Sequence, residues 1–260
     1  MKTHNAKRFL IAGLLLAVVF TAGNLAQAQS CNVEWTGNAG DGLWSTAGNW
    51  STNQVPGPTS VVCIVAAPST PSCAPVGCVD ARGVSSISVN SILVDGGATL
   101  FFGSGTVSIA TSLTVQLSQT APSGSVVYLY FGTNLNCPSV DVKSGGALLG
   151  YGTVEGSLTN SGYLAPYGSL TVTGDYTQTS GGELYEFWGR GATGEVLNVN
   201  MNATLSGYLV VSTSPKYPPK PGSTKTVMTF GSRSGEFTSA SVYGGGTVNY
   251  TNNSVVATYK

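Results

Sequence analysis

The stretch Gly145–Trp188, GGALLGYGTVEGSLTNSGYLAPYGSLTVTGDYTQTSGGELYEFW, restricts this chain to a narrow set of folds. Leu148, Val154, Leu158, Leu164, Leu170, Val172 and Leu184 stand in short apolar runs punctuated by Gly, Asn, Ser or Pro. No run is long enough to carry a helical apolar stripe, so the segment predicts short strands and tight corners. It also echoes itself: GSLTN at Gly156–Asn160 returns 18 residues later as GDYTQ at Gly174–Gln178. A period of about 20 residues marks coils that stack strand on strand, none of them stable alone. In Leu170-Thr-Val-Thr173 the alternation sends Leu170 and Val172 inward and both threonines outward.

The pattern extends in both directions. Ser91–Leu100 and Ser139–Leu148 match with one inserted residue, each reading as a strand, a Gly-Gly corner and a second short strand. The corner takes glycine because positive φ is cheap only there. Val107–Val115 and Val126–Phe131 predict strands between them, and the nearly all-apolar VVYLYF predicts burial on both faces or beneath a loop. Beyond Trp188, strands are expected at Val196–Val199 and Ala203–Val211. A loop with Pro215, Pro218, Pro219 and Pro221 follows, because proline cannot donate to a ladder. Thr226–Phe230, Gly235–Val242 and Ser254–Tyr259 read as closing strands.

At the start, Lys2, Lys7 and Arg8 precede an apolar core, Phe9–Phe20, and Ala26-Gln27-Ala28 fits a cleavage site. Residues 1–28 therefore read as an export signal, with a mature chain beginning at Gln29 and no transmembrane segment after removal. Of 11 basic and 11 acidic residues, three basic ones fall in the signal. The mature part is weakly acidic, without a basic patch, which argues against nucleic acid. His4, the single histidine, also lies in the signal. Serine or cysteine nucleophiles activated by histidine, and histidine-ligated metals, are excluded from the mature chain.

Export favours disulfides among Cys31, Cys63, Cys73, Cys78 and Cys137. Cys73 with Cys78 would close a small loop around Pro75 and Gly77, and Cys31 with Cys63 would tie the mature N-terminus to a strand. Cys137 is then left over, and other pairings stay open. Trp35, Trp44 and Trp50 lie among Gly, Asp and Asn turns. They read as a cover for the open end of the first coil, with a sugar-stacking platform as the alternative. Residues 29–83 are thus expected to form a cap with a cysteine-stapled loop, and residues 84–260 a β-solenoid with closing strands.

Five segments, Gly152–Gly156, Leu158–Gly162, Gly168–Gln178, Gly181–Leu184 and Ala203–Val211, carry a family resemblance. In them, Gly145–Tyr259 resembles the passenger region of bacterial autotransporter-like proteins of the pectin-lyase-like kind. Trp44–Ser51 followed by Val55-Pro-Gly looks like the opening segment of similar exported repeat proteins. The resemblance implies an all-β, right-handed parallel β-helix with a Trp-rich N-terminal cap. The C-terminal translocator barrel of such proteins is not recognisable before Lys260, so self-translocation is not expected.

Glycosidases and lyases occur on such folds. The central acids Asp175, Glu183, Glu186 and Glu195 show no spacing that pairs them: Glu183 and Glu186, three positions apart, fall on opposite faces of a strand. Lys143 and Arg190 are isolated in sequence. Tyr151, Tyr163, Tyr167, Tyr176, Tyr185 and Trp188 are candidate glycan contacts. No catalytic, cofactor or metal residue is assigned. The expectation is a secreted or cell-surface protein without catalytic activity, structural or adhesive, with a surface or matrix polysaccharide or protein as partner. A carbohydrate-binding protein using the tyrosine-rich coils is the alternative, and a polysaccharide-degrading enzyme the third reading. Outward aromatics in one ladder without an acidic pair would favour binding.

Overall fold

The computed structural model describes residues 30–65, 77–118, 124–189 and 196–260. The signal, Cys73 with its expected bridge to Cys78, Arg190 and Glu195 lie outside the described residues. The strands are β1 (Val33–Glu34), β2 (Val61–Val65), β3 (Cys78–Ala81), β4 (Ser86–Asp95), β5 (Thr99–Phe102) and β6 (Thr106–Val115). Then come β7 (Ser125–Val142), β8 (Gly146–Asn160), β9 (Tyr163–Val172), β10 (Tyr176–Gln178), β11 (Glu183–Trp188) and β12 (Val196–Leu205). The chain closes with β13 (Tyr208–Thr213), β14 (Thr224–Gly235), β15 (Ser239–Val242), β16 (Gly246–Tyr250) and β17 (Ser254–Tyr259). Apart from one 3-10 turn at Ala47–Asn49, the described residues are all-β.

Pairing is parallel through β15 and falls into three columns, an arrangement consistent with a β-solenoid. One column stacks Val33, Val62, Ile92, Leu113, Val140, Leu158, Tyr176 and Ala203 on successive rungs. A second stacks Val79, Leu100, Val127, Leu148, Leu164, Leu184 and Leu209. A third stacks Ile87, Val107, Leu135, Val154, Val172, Val199 and Phe230. All of these side chains are buried. Each fully buried Val or Leu contributes roughly 1.5–3 kcal/mol, which makes the three apolar columns the main source of stability. The expected alternation holds, with Leu170 and Val172 buried and Thr171 and Thr173 half-exposed.

Both sequence echoes are rungs. Leu158, Thr159 and Asn160 pair with Tyr176, Thr177 and Gln178. Ser91 and Ser139 share one column, both paired to Ser112. At the corner between β4 and β5, Gly96 and Gly97 take φ of 65° and 85°. The Asp95 carboxylate pins that corner by accepting from the Gly96 and Ser118 amides (2.6 and 2.8 Å), Gln116 Nε2 (3.0 Å) and the Ser118 hydroxyl.

Two ends close differently. Leu43 makes a parallel bridge to Asp80, so the segment around Trp44 covers the free edge of β3. Trp44 and Trp50, each 1% exposed, and buried Trp35 meet edge to face. Trp50 Nε1 donates to the Trp44 carbonyl at 2.8 Å. Buried indoles cannot serve as a stacking platform for sugars. The Cys31–Cys63 disulfide joins the segment before β1 to β2. The parallel pairing thus begins with β1 and β2, upstream of Val84. At the other end β17 pairs antiparallel with both β14 and β16, which ends the parallel stack. The strand β16 was not foreseen. No helix among the described residues is long and apolar enough to cross a membrane.

Candidate functional site

The three columns share an apolar interior but differ outside. Beside the first, the outward stack Thr159, Thr177, Thr204 and Ser234 is hydroxylic. Beside the third, Ser108, Asn136 and Glu155 follow one another. The second column, built by β3, β5, the start of β7, β8 and β9, then β11 and β13, is aromatic outside.

Alternation is clear in β3, β7 and β13, whereas Leu148 and Leu149 of β8, and Leu164 and Ala165 of β9, are buried in succession. In β7, Val127 and Leu129 are buried while Val126, Tyr128 and Tyr130 are half-exposed. Val126–Tyr130 is therefore buried on one face only, a correction to the expectation of burial on both faces or beneath a loop. Phe101 pairs with Tyr128, which pairs with Leu149. The Phe101 and Tyr128 rings stack at 5.1 Å, and Tyr128 and Tyr130 stack at 5.6 Å. Two rungs past Tyr128, Tyr163 pairs with Glu183, and Glu183 with Tyr208. The Tyr163 and Tyr185 rings are 5.9 Å apart. Burial pushes the Tyr163 hydroxyl well above the usual phenol range, reinforced by Tyr185, Tyr167 and Glu183 beside it. Tyr167 is 53% exposed and Tyr208 49%. A side chain at Gly168 would contact Tyr151, which places Tyr151 against β9 beside Tyr167. From Phe101 to Tyr208 the aromatic strip spans five strand spacings, roughly 24 Å.

The N-terminal end of the strip is polar. Arg82 lies over the Phe101 ring at 5.1 Å and the Tyr130 ring at 5.7 Å. Its Nε and Nη2 donate to the two Asp80 carboxylate oxygens at 3.0 and 2.8 Å. The Arg82 hydrogen bonds hold the Asp80 carboxyl below its usual range despite partial desolvation, and Asp80 raises Arg82 in return. Asp41 accepts from the Thr46 hydroxyl, Asn49 Nδ2 and the Leu43 amide, and these bonds hold its carboxyl low too. Asp41, Asp80, Arg82 and Phe101 line a cleft of about 370 Å³.

Of the predicted contacts, Tyr151, Tyr163, Tyr167 and Tyr185 come together on this strip. Tyr176 does not: it is fully buried. It occupies an inward position of the first column, where Ala203 on the next rung leaves room for its ring. Its hydroxyl donates to Gln178 Oε1 at 2.6 Å, and Gln178 Nε2 reaches the carbonyls of Gly182, Ser206 and Tyr208. That assignment as a glycan contact is withdrawn. Trp188 also stands apart from the tyrosines, edge-on to Tyr259 at 6.3 Å beside a separate cleft of about 520 Å³. Phe101, Tyr128, Tyr130 and Tyr208 belong to the strip and were not singled out from sequence. The alternation in VVYLYF, with tyrosines at every second position, was the signal available.

Among the described residues, Asp175, Glu183 and Glu186 lie apart from one another. Glu186 is inward and buried, 3.6 Å from Lys225 Nζ, while Glu183 is outward, as their spacing predicted. Asp175 lies by the first column, where it accepts the Asn202 amide at 3.1 Å. Asp80 and Glu183 share the aromatic face but stand about five rungs, roughly 24 Å, apart, against roughly 5–9.5 Å for paired glycosidase carboxyls. Asp41 and Asp80 are closer to each other, yet both are held ionised, whereas a general acid needs a raised pKa. Among the described residues no group of three or more His, Cys, Asp or Glu is placed to hold a metal. Comparison of the chain with known protein families and with curated proteins returns no match.

Proposed function

We propose that this chain is an exported, non-catalytic adhesive module: a right-handed parallel β-helix with a Trp-rich cap that attaches to a surface or matrix polysaccharide through its aromatic face. The observation that carries this reading is segregation. Phe101, Tyr128, Tyr130, Tyr163, Tyr167, Tyr185 and Tyr208 lie on one of three outer faces, while the outward stacks of the other two are mostly Ser, Thr and Asn, with acids such as Asp141, Glu155 and Asp175 among them. Rings gathered on one face and partly open to water, in two groups separated by the Ala147 and Leu149 rung, mark a binding face. Ring faces carry a negative quadrupole that attracts the polarised C–H bonds of a pyranose, and tyrosine hydroxyls reach its alcohols. The scarcity of cations on this face argues against single-stranded nucleic acid, which needs a basic groove as well as stacking rings. The Cys31–Cys63 disulfide supports an oxidising, extracytoplasmic setting.

The test is retention of the purified protein on a panel of insoluble polysaccharides, with soluble sugar release measured in parallel. We expect retention without release, and loss of retention when Phe101, Tyr128 and Tyr185 are replaced together by alanine. Sugar release abolished by Glu183→Gln or Asp80→Asn in a folded variant would establish an enzyme instead.

A further inference from the structure

Resting on that reading, we infer that the polymer is neutral and lies lengthwise along the strip, spanning several sugar units from the Asp80–Arg82 end toward Tyr208. The charges select it. The aromatic face and its cleft present Asp41, Asp80, Glu183 and Arg82, and the guanidinium is already engaged through two nitrogens by Asp80. A polyuronate lying across this face would set its carboxylates against Glu183 and Asp41, and among the described residues of the strip the cation Arg82 is already committed to Asp80; like charges brought together disfavour binding. A neutral polymer meets no such repulsion. The pinned pair then offers its remaining guanidinium hydrogens and carboxylate lone pairs to hydroxyls.

Direction follows from the layout of the rings. They repeat along the stacking axis, Phe101, Tyr128, then Tyr163 and Tyr185, then Tyr208, about 4.8 Å per rung. Across the strip, the second column is only as wide as a short strand and is bounded by the turns that leave it. An extended chain of flat rings gains a new stacking contact with each unit only if it runs along the axis. A chain laid crosswise touches one rung. Affinity should therefore rise with oligosaccharide length until the strip is filled, because each added unit binds at high effective concentration.

The experiment uses the full secreted chain in calorimetry and affinity electrophoresis. The probes are soluble β-glucan and xylan against polygalacturonate and alginate, with cello-oligosaccharides from disaccharide to octasaccharide. We expect binding to a neutral polymer at least tenfold tighter than to either polyuronate, little changed by added salt, and rising with chain length. Joint Asp80→Asn and Arg82→Gln substitution should preserve preference for the neutral polymer. Equal or tighter binding of polyuronate, weakened by salt or by Arg82→Gln, overturns the neutral assignment while leaving a polysaccharide site intact. Length-independent binding overturns the lengthwise path. Retention of neither class, or a dimer in sedimentation that Tyr128→Ala dissociates, removes the reading on which the inference rests.

Discussion

Replacing Gly156 by alanine tests whether the rungs are as closely registered as the pairing implies. Gly156 lies within β8 at φ 153°, where an added Cβ would stand 1.9 Å from the Cys137 carbonyl oxygen of the neighbouring strand β7. It would also fall 2.9 Å from the Pro138 carbonyl oxygen, so the obstruction is rigid backbone. Gly132 is the control. It too has positive φ, 73°, but an added Cβ there meets nothing within 4 Å. Conformational strain alone costs about 1–2 kcal/mol, and forcing backbone apart adds about 1–3 kcal/mol. Gly132→Ala should therefore cost about 1–2 kcal/mol and Gly156→Ala about 2–5 kcal/mol. For a chain of this size 1 kcal/mol moves Tm by about 2–4 °C, which gives a shift of about 2–8 °C for the control and about 4–20 °C for Gly156. Thermal unfolding followed by circular dichroism reads both. Equal shifts for the two variants would refute the argument, since the contact between rungs should add to the cost at Gly156 and not at Gly132.

Two further outcomes are expected. Asp95 is desolvated by burial, but bonds from Ser118, Gln116 and Gly96 outweigh that and hold its folded carboxyl below the reference value of 3.8. The unfolded chain thus takes up that proton first, so the contribution is present above pH 3.8 and is lost as pH falls through the lower folded value. Asp95→Asn should lower stability at neutral pH and flatten its dependence on acid below that point, and an unchanged acid limb in pH-dependent unfolding would count against it. Burial pushes the Cys137 thiol up to about 11, and its Sγ donates to the Ser139 carbonyl at 3.1 Å. Cys137 should resist a thiol reagent at pH 8 in the native protein and react after unfolding; fast native labelling located there by peptide mapping would contradict its burial.

The sequence made the rungs legible because the repeat spacing was regular where no loop intervened. Gly156–Asn160 and Gly174–Gln178 stack directly, with no long connection to blur the period. The Ser91 and Ser139 segments are two rungs apart, and the 27-residue rung between Ser112 and Ser139 contains a register shift that hid the intermediate echo. The site was legible only where parity was unambiguous. Tyr163 and Tyr185 flank Leu164 and Leu184, so inward leucines force them outward. Tyr176 sits in a three-residue strand, too short for alternation to decide, and its inward place depends on Ala203 from the next rung. Tyr128 and Tyr130 were obscured because an aromatic ring counts as apolar in a run such as VVYLYF, whichever way it points. Asp80 and Arg82 gave no signal either, because their significance comes from Phe101 and Tyr130 on later rungs.

Hydroxyl-radical footprinting of the purified protein, with and without a polysaccharide that retains it, tests the central claim at the residues themselves. The account predicts protection of Phe101, Tyr128, Tyr163, Tyr185 and Tyr208 together on binding. Exposed Met201 on β12 should keep its labelling, and buried Trp44 and Tyr176 should stay unlabelled in both states. Protection confined to another face, with the labelling of Tyr128 and Tyr185 unchanged, would contradict it.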